Sequence, residues 1–244
     1  KSQIDSTPDH NPQLKILDQV IMPDHVHILI QVMEPISKHF GDIIQAIKSA
    51  STSGIRKLTG SRDMTVFEEG FHDRIVKNRT QLDTLYRYIR DNPRRLAVRR
   101  AHPEFFRRVN RMEIAGRECR AYGNFQLLDC PFREQVVVHR ADTDTERADK
   151  RDRWLYTAAN GGVLVSPFIS PAEKAVRDEA DQAGGRFILI TNRQMEDRYK
   201  PSGRDFELCE AGRMLIVSAP SEGENLSRAH CMQMNRLALA ICNY

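Results

Sequence analysis

The chain has 244 residues, 40% hydrophobic and 29% charged, with a formal net charge of +4 and five cysteines. That balance suits one large globular domain or two small ones and excludes collagen-like, disordered and disulfide-rich classes. No apolar run approaches the ~20 residues of a membrane span, residues 1–5 carry no secretory h-region, and an odd set of cysteines without a Cys-x-x-Cys pair favours a reducing cytoplasm.

Residues 16–22 and 25–33 read as two strands separated by the turn signal Pro23-Asp24. In the second strand His25 and His27 share one face with Leu29 and Gln31, because strand side chains alternate. Val26, Ile28, Ile30 and Val32 make the other face wholly apolar and predict that it lies on the core. Ser37 is placed to cap a helix to about residue 58, with Phe40, Ile43, Ile44, Ile47 and Ala50 at helical spacing. Residues 67–76 suit another strand. Thr80 and Asp83 form a capping pair for a helix through Asp91. Pro93 is expected to stop it, since the residue before proline is pushed out of the helical region. The stripe of that helix is Leu82, Leu85, Tyr86 and Ile89. Tyr88 and Asn92, four apart, neighbour each other at its edge.

The second half has a different rhythm. Residues 135–139 are a β-branched run, 142–156 a helix and 163–166 a strand. Ser170-Pro171-Ala172-Glu173 is a capping box with proline at the first helical position, and that helix ends at Gly184-Gly185. Strands at 186–191 and 214–218 and helices at 203–211 and 226–242 complete a pattern that implies a mostly parallel sheet. The predicted class is therefore α+β: an antiparallel-sheet domain over residues 1–110, then a Rossmann-like α/β domain over 111–244.

Charge is unevenly placed. Residues 74–111 hold twelve Lys or Arg against Asp83, Asp91 and Glu104. Such an excess attracts polyanions, and the arginine fork suits phosphate; a solvated helical surface is the plainer alternative. His25 and His27 can share a divalent ion, although such pairs also occur as ordinary surface histidines. Tyr88 has the chemistry of a covalent nucleophile and Asn92 that of an amide-oxygen ligand; a packing role for the tyrosine is the alternative. In the second half Ser166, Ser170 and Lys174, with Asn160, line a helix N-terminus after a parallel strand, a candidate anion site. No Gly-x-Gly-x-x-Gly or Walker loop accompanies it, so an ordinary βα turn competes. His72 and Asp73 are weaker candidates, and His39, His102, His139 and His230 show no partnered spacing.

The run Val20-Ile21-Met22-Pro23-Asp24-His25-Val26-His27-Ile28-Leu29-Ile30 resembles the core signature of the IS200-like, single-tyrosine transposases, which belong to the HUH nucleases (His-hydrophobic-His). Residues 36–49 resemble the helix that follows in that family, and Gly70-Phe71-His72-Asp73-Arg74-Ile75-Val76 its next strand. Tyr88-Ile89-Arg90-Asp91-Asn92-Pro93 is similar to the Tyr-Ile-x-x-Asn-Pro of the REP-associated tyrosine transposases. Four ordered motifs over roughly residues 14–100 make the resemblance specific. Asp24 departs from the commoner asparagine. The strand that usually precedes the first helix is not found in residues 1–15, so either an N-terminal truncation or a join across unseen residues is expected. The second half only loosely resembles the Rossmann-type domains of the DNA-processing and nucleotide-sensing superfamily.

The resemblance implies a divalent metal, Mg²⁺ or Mn²⁺, held by His25, His27 and Asn92. It implies attack by Tyr88 on a scissile phosphate, giving a 5′-phosphotyrosyl link and a free 3′-hydroxyl. Phenols ionise near ~10, so the nucleophile needs a nearby cation. The implied partner is single-stranded DNA beside a hairpin, with Arg74, Arg87, Arg90, Arg94, Arg95 and Arg99 tracking its phosphates. The family often works as a homodimer. Two other readings stand beside this one: a DNA-binding regulator without turnover, and a nucleotide-sensing module working through the second half.

Overall fold

The computed structural model describes residues 1–197, 199–219 and 227–243. The chain divides into two compact units, Lys1–Ala97 and Val98–Tyr244. The strand Arg107–Ile114 belongs to the sheet of the second unit, so that sheet begins ahead of residue 111.

The first unit opens with two short helices, α1 (Ser2–Asp5) and α2 (Thr7–His10). Strands β1 (Leu14–Ile21) and β2 (Val26–Val32) then form an antiparallel hairpin, with Val20 opposite His27 and a register shift between Ile16 and Asp18. The Met22 N–H donates to the His25 carbonyl at 2.8 Å and closes the turn. His25 thus stands one residue ahead of β2 rather than within it. The expected core face is also corrected. Leu29, on the histidine side, is the buried residue of β2, while Val32 is 52% exposed. Val26, Ile28 and Ile30 are only half-buried and Gln31 is exposed, so neither face of β2 is wholly core.

Helix α3 (Phe40–Thr59) is capped by His39, whose side chain accepts from the Gly41 N–H, rather than by Ser37; it buries Ile43 and Ile47. Residues 67–76, expected as a strand, have no regular structure. The segment is held from the side instead, with Lys48 Nζ donating to the carbonyls of Glu68 (2.6 Å) and Gly70 (2.7 Å). Helix α4 (Arg79–Ala101) is capped by Asn78, which accepts from the Gln81 N–H, in place of Thr80 and Asp83. It also runs through Pro93. A proline removes one intrahelical bond and crowds one turn. Asp91 ties that turn together by binding Arg94 and Arg95, each at 2.6 Å, three and four residues on.

The second unit is a six-stranded sheet in the order β3-β4-β8-β7-β6-β5. Its strands are β3 (Arg107–Ile114), β4 (Arg117–Gly123), β5 (Arg133–Gln135), β6 (Val163–Ser166), β7 (Arg186–Thr191) and β8 (Met214–Ser218). β5 to β8 are parallel, and the β3–β4 hairpin adds to β8 antiparallel. The hairpin turns at Ala115 and Gly116, both at positive φ. The crossovers are α5 (Asp144–Ala159), α6 (Pro171–Gln182) and α7 (Gly203–Glu210); α8 (Arg228–Cys242) follows β8. Residue 226, the expected start of the last helix, lies outside the described residues.

Because the parallel strands advance in one direction, right-handed crossovers put α5, α6 and α7 on one face. Trp154, Val176 and Phe206 accordingly pack with Leu164, Phe187 and Ile216. On the other face Met234, Leu237 and Ile241 of α8 pack with Val163, Val165, Ile188 and Val217. Alternate residues of each strand thus enter two cores, which is why these strands read as continuous apolar runs. The antiparallel hairpin and the mostly parallel sheet together confirm the predicted α+β class.

Candidate active site

The hairpin turn delivers both histidines to one place. The His25 and His27 rings stand edge to face with centroids 4.8 Å apart. Tyr88 reaches them from α4, its ring 5.5 Å from that of His27 at 69°. Sixty-one positions of sequence separate the phenol from this imidazole, and the fold closes that gap. Tyr88 is 41% exposed, open to an incoming strand. One turn along α4 lies Asn92, 6% exposed, whose Nδ2 has no hydrogen-bond partner. Turning the amide about its last bond would set Oδ1 in that position, a ligand for a hard cation.

His25 has its proton placed. Its Nδ1 lies 2.7 Å from Asp24 Oδ1. A carboxylate only accepts, so the His25 Nδ1–H is the donor to Asp24. Asp24, visible in the sequence only as a departure from a motif, is thereby an orienting group; an acid directly before His25 was the available signal. His27 is held neutral by a different cause. Burial, and then the charge of His25, push its pKa below the ordinary histidine value. A depressed pKa means that the neutral ring is favoured above about 6.5 and lost as pH falls through the folded value. NMR titration of the His27 ring protons is expected to give a midpoint below that of free histidine, with the linked stability lost only on the acid side. A midpoint above 6.5 would contradict this environment.

Among the described residues no three His, Cys, Asp or Glu side chains cluster as a metal site. The two imidazoles are therefore the site's candidate ligands, a ligand type that divalent ions accept.

Most of the candidate phosphate-tracking arginines already have partners. Arg90 pairs with Asp18 at 2.8 Å and lies over the Tyr86 ring. Arg94 and Arg95 pair with Asp91, whose carboxyl they hold below its usual range. Arg87 donates to the Asp83 carbonyl, and Arg74 is exposed on the irregular segment. Arg99 belongs to the second unit, where its charge acts on Tyr122.

The candidate anion site of the second unit is filled from within. The Glu173 carboxylate accepts from the N–H groups of Val138 (3.2 Å), Ile169 (2.9 Å) and Ser170 (3.0 Å). Ser166 Oγ accepts from Phe168 and Ser170 Oγ from Glu173. Donors that an external anion would need are taken by the capping box itself, so Ser166, Ser170 and Lys174 form a structural turn.

Comparison with known proteins places the first unit. Residues 6–92 match the family model described as Transposase IS200 like. That IS200-like segment contains His25, His27, Tyr88 and Asn92. An uncharacterized protein of Haemophilus influenzae is 26% identical over a stretch covering 34% of this chain and 56% of that protein, so the chain spans little more than half of that relative's length. DNA processing protein A from Helicobacter pylori, described for its single-stranded DNA binding mode, aligns at 19% identity and a TM-score of 0.38, over 51% of this chain and 56% of that one. DNA processing protein A from Streptococcus pneumoniae aligns at 18% and 0.40, over 80% and 70%. At TM-scores this low neither likeness transfers a function.

Proposed function

We propose that the IS200-like segment is a metal-dependent single-stranded DNA endonuclease and strand transferase that works through a 5′-phosphotyrosine, at DNA carrying a hairpin. The observation that carries this reading is the meeting of the His25–His27 pair with the exposed Tyr88 ring. The family match supports a DNA-processing role.

His25 and His27 would hold Mg²⁺ or Mn²⁺, with Asn92 as a third ligand. When bound, the ion supplies Lewis-acid polarisation of a non-bridging phosphate oxygen and offsets the charge that develops there. The remaining work belongs to the chain. Asp24 accepts from the His25 Nδ1–H, and burial favours the unprotonated form of His27. Tyr88 Oη loses its proton to solvent and bonds to phosphorus as the bond to the 3′-oxygen breaks; that oxygen takes up a proton. The phosphotyrosyl ester retains the energy of the phosphodiester, so a 3′-hydroxyl can attack it and rejoin strands without ATP.

The test is a set of labelled hairpin-bearing oligonucleotides incubated with Mn²⁺ or Mg²⁺ and run on denaturing gels. The expected product is the 3′-side fragment joined to the protein through its 5′ phosphate, a species that survives denaturation and is lost with chelator. Free fragments with no protein-linked species would replace the tyrosine mechanism by hydrolysis, and no cleavage across the set would leave a DNA-binding regulator.

A further inference from the structure

One concavity of the first unit has none of the active-site residues in its lining. It is a groove of about 1010 Å³ between the polar face of α3 and residues 60–70. Along α3 its wall runs from Gln45 to Gly60, about 22 Å at the helical rise. Four cations line it: Lys48, Arg56, Lys57 and Arg62. Between them α3 presents the hydroxyls of Ser49, Thr52 and Ser53.

These cations differ from the arginines of α4. Arg90, Arg94 and Arg95 face carboxylates. Among the described residues none of the four groove cations has a carboxylate partner. Lys48 and Arg56 donate to carbonyl oxygens, of Glu68, Gly70 and Met64, rather than to carboxylates. An ammonium has three donors and a guanidinium five, so both retain donors for a ligand. The groove along α3 is thus a second place, besides α4, where cations without carboxylate partners gather.

The opposite wall is of another kind. Phe67 is half-buried there, with Lys48 Nζ 5.9 Å from its ring centre, and Glu68 and Glu69 stand beside it. Carboxylates repel phosphate and accept from the amino groups of bases. A cationic, hydroxyl-bearing wall facing an aromatic and two acceptors is the arrangement that holds a single nucleic-acid strand, phosphates on one side and bases on the other.

We infer that this groove binds single-stranded DNA as a second contact, with phosphates along α3 and bases toward residues 67–69. The inference rests on the reading that this unit acts on DNA, but its test does not use cleavage. Binding of a fluorescent 12-nucleotide single strand is measured by anisotropy in EDTA over a range of salt. The triple variant Arg56→Ala, Lys57→Ala, Arg62→Ala is compared with a charge-matched control, Arg111→Ala, Arg147→Ala, Arg151→Ala, whose arginines are partly exposed and paired elsewhere. Thermal unfolding confirms that each variant is folded. Loss of three phosphate contacts is expected to weaken binding at least tenfold and flatten the log–log salt slope by about two, with the control near wild type. A change below threefold, or an equal loss in the control, overturns the assignment. A 12-base-pair duplex bound as tightly as the single strand, and lost equally in the groove variant, overturns its single-strand character. A protein that forms no tyrosyl adduct yet shows the groove effect would fail the proposed function and pass this test.

Discussion

The Tyr88→Phe variant is expected to form no covalent DNA adduct and to cleave at least about a thousand-fold more slowly than wild type, as befits removal of a nucleophile. The substitution deletes one oxygen. The ring against His27, at 5.5 Å between centroids, and the packing of α4 remain. Melting temperature is therefore expected to stay close to wild type, which separates loss of chemistry from loss of fold. Tyr86 is the neighbouring alternative, but it is half-buried and covered by Arg90 at 5.2 Å. An adduct that persists in Tyr88→Phe and disappears in Tyr86→Phe would transfer the role. An adduct that persists in both would remove tyrosine chemistry from α4 altogether.

The second large effect concerns the other unit. Glu173 is 4% exposed, and its carboxylate is the acceptor for three backbone N–H groups from two segments. Glu173→Ala leaves those donors without a protein partner at a cost of about 1–3 kcal/mol each before water recovers part of it. A net loss of about 3–5 kcal/mol is expected, a large share of the ~5–15 kcal/mol that holds a domain together. The matching fall in melting temperature is about 10 °C. Glu173→Gln keeps an acceptor oxygen and is expected to lose less. Phosphate or sulfate is expected to restabilise the alanine variant more than wild type, because the vacated amides at the start of α6 then accept an external anion. Equal melting of Glu173→Ala and wild type would show that the amides are satisfied in another way.

Much of the candidate site was legible in residue order. Histidines two apart on an alternating run, and a tyrosine and asparagine four apart at the edge of a helical stripe, are local patterns set by the geometry of strand and helix. The βα units were legible for the same reason: the Ser170–Glu173 box and the apolar run Val163–Ser166 are short-range signals, and both stand where they were expected. Other features were not. The strand β4 mixes Arg117, Glu118 and Arg120 with Cys119 and Ala121, a pattern that takes its meaning from pairing with β8 far along the chain. Residues 67–76 have strand-like composition but find no ladder, and Lys48 anchors part of them by side chain. Pro93 reads as a stop, yet α4 runs through it to Ala101.

Residue order alone was enough for the candidate residues of the first unit and the class of both, because motifs and periodicity are properties of neighbours along the chain. Tertiary structure decided what those residues meet. It brought Tyr88 to His27, gave Glu173 the amides that an anion would have used, and set Arg90, Arg94 and Arg95 of α4 against carboxylates while Lys48 and Arg56 of α3 met backbone carbonyls. Those outcomes depend on which charges and donors lie within a few ångströms after folding, and electrostatic and hydrogen-bond energies fall off too steeply for sequence spacing to set them.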